Sequence, residues 1–327
     1  MSSFQYDPRQ KRCPRGNPAF QTQGVSALCA ALALCLTASA IAEDRQAGDG
    51  DAEMLRFTAA DDGGYAFDTG VLTGRLNAGG RALGLTGVVH QPTGRRLAAG
   101  LGLMHPYRIF SGNQRFGDGA RDWNTTSTIT ADGAVQIRWE PPFEVPFVLQ
   151  AVYRWHDPTT LDVLFEVQAN EELATFEIFL ASYFEAGFAD PYVYVQDPEH
   201  GPTFLLGERA RGHWLMAPRD EGAVTLIRDG RWETHPHPVD WVLLPPLVQP
   251  VALRRDRHSD LVAIVMASRA DCFAVSTPFA GETHYSLYLS LLGHDVPAGE
   301  RARTQARLKI ASGRDDQDVI RLLPQTL

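Results

Sequence analysis

The feature that most limits the folds open to this chain is a two-residue alternation of polar and apolar side chains. Arg301–Ile310 shows it most clearly, because cations and one glutamine occupy the odd positions while alanine, threonine, leucine and isoleucine occupy the even ones. Successive side chains of a β-strand point to opposite faces, so the pattern predicts a strand with one wet face and one buried face. We interpret the row of cations as a solvated face or a protected sheet edge, with an anion site as the alternative.

The same signal recurs along most of the chain, and turn-forming Gly, Pro and Asp residues separate the segments at near-regular intervals. Phe147–Trp155 and Leu161–Ala169 flank such a turn and predict a hairpin. Only Asp315–Leu323 is predicted to be a helix, and neither a fixed repeat nor a linker divides the chain. These features predict an all-β fold, a large antiparallel sandwich or barrel. The remaining predicted strands, apart from one described below, are Val71–Leu76, Leu83–His90, Ala134–Trp139, Tyr192–Gln196, His213–Ala217, Ala223–Arg228, Val239–Leu244, Leu261–Ala267, Cys272–Ser276 and Tyr285–Leu291.

The first 42 residues are predicted to be a secretory signal peptide that takes no part in the fold. Four basic residues between positions 9 and 15 precede the apolar run Val25–Thr37, and Ala38–Ala42 offers small residues for cleavage before Glu43. The apolar run is short for a membrane span, so an uncleaved anchor is the less favoured alternative. We expect residues 43–327 to form a single domain in the periplasm or outside the cell, without membrane attachment after cleavage.

Charge and cysteine content exclude some classes of function. The chain carries 30 basic and 39 acidic residues, and removing the four bases and one acid of the predicted leader leaves a net charge of −12. Nucleic acid and anionic membranes attract basic surfaces, so neither is an expected partner. Cys272 is the only cysteine after the leader, so an intramolecular disulfide is excluded and the core alone must stabilise the fold. Its apolar surroundings predict an inert core thiol.

Phe176–Glu185 is predicted to be a strand whose two faces differ in chemistry. Polar groups mixed with flat rings are typical of a carbohydrate site, because hydroxyls need hydrogen bonds and sugar C–H faces need apolar cover. Glu177 and Glu185 lie about 26 Å apart at roughly 3.3 Å per residue, too far for the carboxyl pair of a glycosidase. The core face is Phe176, Ile178, Leu180, Ser182 and Phe184, and the mixed face is Glu177, Phe179, Ala181, Tyr183 and Glu185.

Leu180–Phe184 and the closing Pro297–Glu300 resemble short motifs of the galactose mutarotase (aldose 1-epimerase) family. The resemblance implies a supersandwich of two large antiparallel sheets, a fold that also hosts polysaccharide lyase and glycoside hydrolase domains. The family's catalytic histidine lies in an Asn-His-Ser-Tyr-Phe-like run, where this chain has Ala181. Its catalytic glutamate follows a Cys-Leu pair, and Cys272–Val275 places Ala274 or a neighbour at that position. The resemblance therefore implies a carbohydrate ligand and argues against ordinary mutarotation.

Three groups of residues are candidates for a site. The first is a Gly-rich loop after His105, with a structural network of arginines and acids as the alternative. The second lies at the two ends of the predicted strand Ala223–Arg228, and the third is the polar end of Phe176–Glu185. A lyase or epimerase needs a base and a group that stabilises developing charge, so Glu185, Tyr183 and His105 are the candidate catalytic residues. The candidate substrate-binding residues are Arg108, Arg121, Asp122, Trp123, Arg219, Arg231 and Trp232.

The short run His235-Pro236-His237, followed by Asp240, has the look of a metal site, but its prolines favour an exposed loop. Neither a metal nor a cofactor is predicted. The sequence as a whole predicts a secreted protein that binds or processes carbohydrate and lacks the usual mutarotase pair. Whether it is an enzyme stays open, between an epimerase-like or lyase-like activity and a non-catalytic binding module. The alternative is a structural or assembly module without a sugar ligand.

Overall fold

The computed structural model describes residues 55–61, 63–79, 83–98, 100–279 and 285–324. The predicted signal peptide, residues 1–42, lies outside the described residues. All described residues fall within one compact unit, Ala47–Leu327. None of the helices in these ranges is long and apolar enough to cross a membrane.

Strands make up most of the described chain, with two short α-helices and three 3-10 turns. The 3-10 turns are Gln91–Thr93, Ala120–Asp122 and Arg231–Glu233. The helices are α1 (Glu221–Ile227) and α2 (Asp316–Leu322). The strands are β1 (Phe57–Ala59), β2 (Tyr65–Asp68), β3 (Leu72–Asn77), β4 (Gly84–His90), β5 (Arg95–Arg96), β6 (His105–Ser111), β7 (Gln114–Arg115), β8 (Asn124–Ile129), β9 (Val135–Glu140), β10 (Phe147–Asp157), β11 (Thr160–Ala169), β12 (Leu173–Tyr183), β13 (Asp190–Asp197), β14 (Gly201–Leu206), β15 (Trp214–Pro218), β16 (Val242–Leu243), β17 (Leu247–Arg255), β18 (Leu261–Ala267), β19 (Cys272–Pro278), β20 (Ser286–Val296) and β21 (Arg301–Ser312).

The strands form two large sheets and one smaller sheet. The nine-stranded sheet has the order β14-β13-β17-β18-β21-β11-β10-β9-β8, and the seven-stranded sheet has the order β16-β15-β19-β20-β12-β6-β7. Neighbouring strands are antiparallel except β15 and β16, which are parallel. The smaller sheet contains β1 to β5 in chain order. The predicted fold class, an all-β sandwich of two large antiparallel sheets, is confirmed.

The main core lies between the two large sheets. β21 of the nine-stranded sheet contributes Leu308 and Ile310, and β12 of the seven-stranded sheet contributes Phe176, Ile178 and Leu180. Full burial of one such side chain stabilises the fold by roughly 1.5 to 3 kcal/mol. The alternation in the sequence therefore decides which face of each sheet turns inward.

β21 confirms the predicted alternation but lies inside its sheet, between β18 and β11. The protected-edge interpretation of its cations is therefore wrong. Arg301 and Arg303 both pair with Glu166, and Arg307 pairs with Asp162 at 2.6 Å. Because carboxylates on the neighbouring strand neutralise the row, it is a solvated ladder of ion pairs, and the anion-site alternative loses its basis.

Two sequence predictions fail in the same region. The predicted strand Ala223–Arg228 is instead helix α1, which Asp220 caps by accepting a hydrogen bond from the Ala223 backbone N–H at 2.9 Å. Its buried residues, Ala223 and Ile227, are four apart, the spacing of one helix face. The predicted strand Val239–Leu244 shortens to β16, because the Val239 N–H turns back to the Trp232 carbonyl at 2.9 Å. The predicted C-terminal helix is confirmed as α2.

Candidate functional site

The outer face of β12, turned away from the main core, carries a second apolar cluster. β12 lies between β20 and β6 in the seven-stranded sheet. Its residues Phe179, Ala181 and Tyr183 are buried in this outer cluster, while Ile178 and Leu180 belong to the main core. The two faces of β12 therefore divide as the sequence predicts. The other members of the outer cluster are Phe110, Met216, Ala223, Ile227, Trp232, Phe273, Ala274 and Tyr288.

A cleft of about 430 Å³ opens at the outer cluster, within the range of roughly 300 to 1,000 Å³ that ligand pockets occupy. Arg108, Arg121 and His237 supply its polar side chains, and Leu101 and Pro238 lie at its mouth. Its walls are mostly aromatic: Tyr107, Phe179, Tyr183, Trp214, Trp232, Trp241 and Tyr288.

Ring contacts fix the orientation of the walls. Trp241 stands nearly perpendicular to Trp232, with ring centroids 5.2 Å apart at 88°, and nearly perpendicular to Trp214, at 6.0 Å and 85°. Phe179 stacks on Tyr288 at 4.7 Å. Edge-to-face and stacked aromatic pairs each add roughly 0.5 to 1.5 kcal/mol beyond burial. The cleft is therefore a preformed apolar surface whose rings hold one another in place.

Arg108 lies behind this surface without a carboxylate partner among the described residues. It is 4% exposed, and its guanidinium carbon lies 5.3 Å from the ring centroids of both Tyr107 and Trp232. Its Nη2 donates to the His237 carbonyl at 2.9 Å, while its Nε and Nη1 are buried without a hydrogen-bond partner in the described chain. The cleft thus has a cation in its wall.

Arg121 adds a second cation. Its guanidinium carbon lies 4.5 Å from the ring centroid of Tyr107. Its nearest carboxylate is that of Asp122 at 4.0 Å, and its Nη1 has no hydrogen-bond partner in the described part of the chain. The 3-10 turn Ala120–Asp122 positions it, because that turn brings the loop after β7 back over β6. Asp122 therefore lies beside the cleft and not in its lining.

His105 lies beneath the cleft with no exposed surface. Its ring stacks on Tyr183 at 5.8 Å and 16°, and neither ring nitrogen has a partner among the described residues. Burial, with a smaller contribution from Arg121, lowers the pKa of His105 to about 3. The imidazole is therefore neutral at physiological pH and a weak base. Its Cα partner across the sheet is Ala181, the position where the family resemblance expects a histidine.

Tyr183 and Tyr288 form a short chain of hydroxyls at the floor of the cleft. The Ser286 hydroxyl donates to the Tyr288 hydroxyl at 2.8 Å, which in turn donates to the Tyr183 hydroxyl at 3.4 Å. Burial raises the pKa of both tyrosines. Both are therefore phenols at neutral pH, which can donate or accept a hydrogen bond but are poor bases.

Glu185, the candidate base, lies outside the cleft. It follows the end of β12, and its nearest cation is Arg96 at 3.6 Å, with 34% of the Glu185 side chain exposed. Its backbone N–H donates to the Leu97 carbonyl at 3.0 Å, and Glu185 is not among the residues that line the cleft. The three candidate catalytic residues therefore do not meet in one site, because Glu185 lies apart from Tyr183 and His105. Among the described residues that line the cleft, none is an aspartate or glutamate.

Three candidate binding residues also lie elsewhere. Trp123 is buried in the main core, where it packs edge-on against Phe143 at 5.9 Å. Arg219 pairs with Asp220 at 2.7 Å next to helix α1. Arg231 is buried and committed to carboxylates at 2.9 and 2.7 Å, so it supports the turn that carries Trp232 without facing the cleft. The structure therefore brings together Arg108, Arg121, Tyr183 and Trp232, with His105 below them.

The sequence reasoning missed Tyr107, Trp214, Trp241 and Tyr288, which line the cleft. One signal was available, because half of the six tryptophans in the chain lie between residues 214 and 241. The run His235-Pro236-His237 belongs to the same segment. In the residues that the structure describes, no group of three His, Cys, Asp or Glu side chains could hold a metal ion.

Fold and site together define the class of protein: an all-β, two-sheet sandwich with an aromatic cleft on the outer face of its seven-stranded sheet. No family model matches the chain, and no curated protein matches it. It is similar to a solved structure described as a candidate aldose 1-epimerase from Escherichia coli K12. The TM-score is 0.41 and the identity is 11%, over 76% of this chain and 99% of that one.

Two further solved structures carry other descriptions. The heparan sulfate lyase from Pedobacter heparinus has a TM-score of 0.43 and 9% identity, over 80% of this chain and 37% of the lyase. The α-N-acetylgalactosaminidase from Bifidobacterium bifidum has a TM-score of 0.42 and 12% identity, over 82% of this chain and 36% of that one. The epimerase is of the class that the sequence resemblance names. At this level of similarity, the likenesses concern the fold and carry no conclusion about activity.

Proposed function

We propose that this protein binds carbohydrate in the aromatic cleft and is a binding module. The observation that carries the proposal is the lining of the cleft: seven aromatic rings, two arginines and, among the described residues, no carboxylate. Flat rings cover the C–H faces of a sugar, and polar groups at their edges bind its hydroxyls. The Arg121 guanidinium in the lining supplies N–H donors of this kind.

The described lining holds no carboxylate and one imidazole, that of His237, and none of the three candidate catalytic residues can act there as a base at neutral pH. An epimerase or lyase needs a base whose pKa lies near the working pH. The pKa of His105 is lowered to about 3, the pKa of Tyr183 is raised, and Glu185 lies outside the cleft. Ala181 occupies the position at which the family resemblance expects a histidine, and Ala274 or a neighbour occupies the position at which it expects a glutamate. Each of these observations favours a protein that binds a sugar and releases it without chemical change.

Secretion is part of the proposal and rests on the predicted signal peptide alone. Expression of the full-length chain in a bacterial host, followed by N-terminal sequencing of the product from outside the cytoplasm, tests it. We expect a mature chain that begins at or near Glu43. An intact N-terminus retained in the cytoplasm would contradict it.

Binding is tested by a glycan array with purified protein, followed by calorimetry and product analysis on the saccharides that bind. We expect binding without turnover in the wild type. Trp241→Ala should lose about tenfold in affinity, since a stacked ring contributes roughly 0.5 to 1.5 kcal/mol beyond the area it buries and about 1.4 kcal/mol is tenfold. Phe143→Ala, which removes an aromatic side chain that is 40% exposed and outside the cleft lining, is the matched control and should bind as wild type.

Three results would count against the proposal. Failure of the folded wild type to bind any saccharide would favour a structural or assembly module. Release of an altered sugar would overturn the non-catalytic assignment. Equal losses in Trp241→Ala and Phe143→Ala, with unchanged unfolding temperatures, would place the binding surface elsewhere.

A further inference from the structure

The buried arginines of this chain differ in how their charges are compensated. Arg231 lies between two carboxylates, at 2.9 and 2.7 Å. Arg254 has its guanidinium covered by carbonyl oxygens and the Thr277 hydroxyl. Arg108 donates a single described hydrogen bond, to the His237 carbonyl, and its Nε and Nη1 have no partner among the described residues. A buried charge is costly unless it is paired, and among these three arginines Arg108 is the one whose charge is compensated least by the described residues.

The aromatic contacts of Arg108 do not replace that anion. Tyr107 and Trp232 lie against the guanidinium, each 5.3 Å from its central carbon to the ring centroid. Such cation–π contacts act on the flat face of the guanidinium and contribute on the order of 0.5 to 2 kcal/mol. They leave the in-plane N–H donors of Nε and Nη1 without a partner among the described residues.

A cluster of cations surrounds this end of the cleft. The Arg121 side chain is 21% exposed, and the Asp122 carboxylate lies 4.0 Å from it. Arg115 donates to the carbonyls of Pro236 and Gly117, and burial followed by the nearby charge of Arg108 lowers its pKa to about 10. Three arginines at this end, Arg108, Arg115 and Arg121, therefore have two carboxylates near them among the described residues, those of Asp118 and Asp122.

We propose that the ligand of the aromatic cleft is an acidic saccharide, whose carboxylate or sulfate lies against Arg121 with the charge of Arg108 behind it. This inference rests on the proposed carbohydrate binding. Arg121 offers direct N–H contacts because its head reaches the cleft, and a guanidinium matches both oxyanions in shape. Arg108 acts through its charge, which water screens little because the side chain is buried. The sugar ring then stacks on the tryptophan wall.

The test compares three trisaccharides of one backbone by isothermal titration calorimetry. They are a β-linked galactose trisaccharide, its galacturonic acid counterpart and its sulfated form. We expect at least one acidic trisaccharide to bind the wild type tenfold or more tightly than the uncharged one, since hydrogen bonds to charged groups are the stronger ones. This preference should shrink when salt is raised. The carboxylate and sulfate arms identify which acid the site takes.

Variants assign the preference to the two arginines. Arg121→Gln should lower the affinity for the acidic sugar more than the affinity for the neutral one, so that the two affinities come within about twofold of each other. Arg108→Gln should do the same, and Arg108→Lys, which keeps the charge, should retain the preference. Arg219→Gln, which removes a cation that lies outside the cleft lining, is the matched control and should bind all three sugars as wild type.

The outcomes separate this inference from the proposed function. Neutral and acidic trisaccharides bound equally by the wild type would overturn the inference and leave carbohydrate binding standing. No binding of any saccharide would overturn both. If Arg108→Gln fails to fold, Arg121→Gln decides alone, because its side chain is partly exposed. A preference for acidic sugars that survives Arg121→Gln would also overturn the inference.

Discussion

The Glu177 carboxylate lies 2.9 Å from the Arg231 guanidinium, and neither side chain is exposed to solvent. Arg231 also bonds Asp229 at 2.7 Å. Burial raises the pKa of the Glu177 carboxyl, although the charge of Arg231 opposes this. Because Arg231 precedes Trp232 in the chain and Glu177 lies two residues before Phe179 on β12, the pair fixes one wall of the cleft to its floor. The rings of Trp232 and Phe179 meet at 4.8 Å.

Glu177→Gln should therefore destabilise the protein by about 3 kcal/mol, toward the lower end of the cost of breaking a buried ion pair, because Asp229 still faces Arg231. Urea unfolding measures the loss. The control is Glu208→Gln, whose carboxylate lies 3.5 Å from Arg211 on the surface and should contribute less than about 1 kcal/mol. Equal losses of unfolding free energy in the two variants would show that the buried ion pair contributes no more to stability than the surface pair.

Arg254 is a buried cation held by oxygen atoms, without a carboxylate contact among the described residues. Its guanidinium donates to the carbonyls of Ala189 at 2.8 Å and Ser286 at 3.0 Å and to the Thr277 hydroxyl at 3.1 Å. Burial lowers its pKa to about 9. Lysine has the charge but not the fork of donors, so Arg254→Lys should cost about 3 kcal/mol, because several buried acceptors lose their partner.

Thermal and urea unfolding of Arg254→Lys measure this cost. Arg257→Lys is the matched control, since that side chain is 55% exposed and pairs with Asp190 at the surface. It should change stability by less than about 1 kcal/mol. A loss in Arg254→Lys no larger than that of the control would contradict the role assigned to the buried fork.

His105 should make the stability of the protein fall in mild acid. Its pKa is about 3 in the folded protein against 6.5 for the free side chain, so between these pH values the unfolded chain binds a proton that the folded chain does not. The free energy of unfolding therefore rises with pH across this window, and is lost as pH falls, by about 1.4 kcal/mol per unit. Arg121 and the neutral phenol of Tyr183 are the ionisable groups that face the ring.

The measurement is the urea midpoint of wild type and His105→Gln at several pH values between 4.5 and 7.5. Other groups titrate in both proteins, so the readout is the difference between them. The wild type should lose stability relative to the variant as pH falls below 6.5. Parallel curves for the two proteins would show that His105 is not the group responsible.

The sequence predicted much of the fold because the alternation decides burial directly. In β21 the even-numbered residues enter the core, and in β12 the two faces separate into the main core and the outer cluster. Helix α1 was missed because the two-residue period of a strand and the 3.6-residue period of a helix are hard to distinguish in a segment this short. Ala223 and Ile227 fit both an alternating strand and one face of a helix, and the Asp220 cap decides in favour of the helix.

The site was predicted only in part, because its geometry arises from strand order. Tyr107 and Trp241 are distant in sequence and reach one cleft only because β6 and β20 flank β12 and the segment after α1 folds over them. In the sequence, Glu185 continues the alternation of side chains along β12, but in the structure the strand ends at Tyr183. Alternation does not show where a strand ends, so it could not separate Glu185 from Tyr183.

The pairing of Ala181 with His105 leads to a last prediction. Both side chains have no exposed surface, and they are Cα partners on neighbouring strands. Ala181→His alone adds an imidazole to a packed site and should cost at least about 1 to 3 kcal/mol. His105→Ala alone should cost about 2 to 4 kcal/mol by leaving a cavity.

The double variant, Ala181→His with His105→Ala, restores the summed side-chain volume. Its loss of stability should therefore be smaller than the sum of the two single losses by about 1 kcal/mol or more, which is the size of coupling that contacting residues show. A double-mutant cycle from urea unfolding measures that coupling, with Ala274→Ser in place of Ala181→His as the control pair. If the loss of the double variant equals the sum of the single losses, the two side chains do not compete for the same volume, and His105 does not pack beside Ala181.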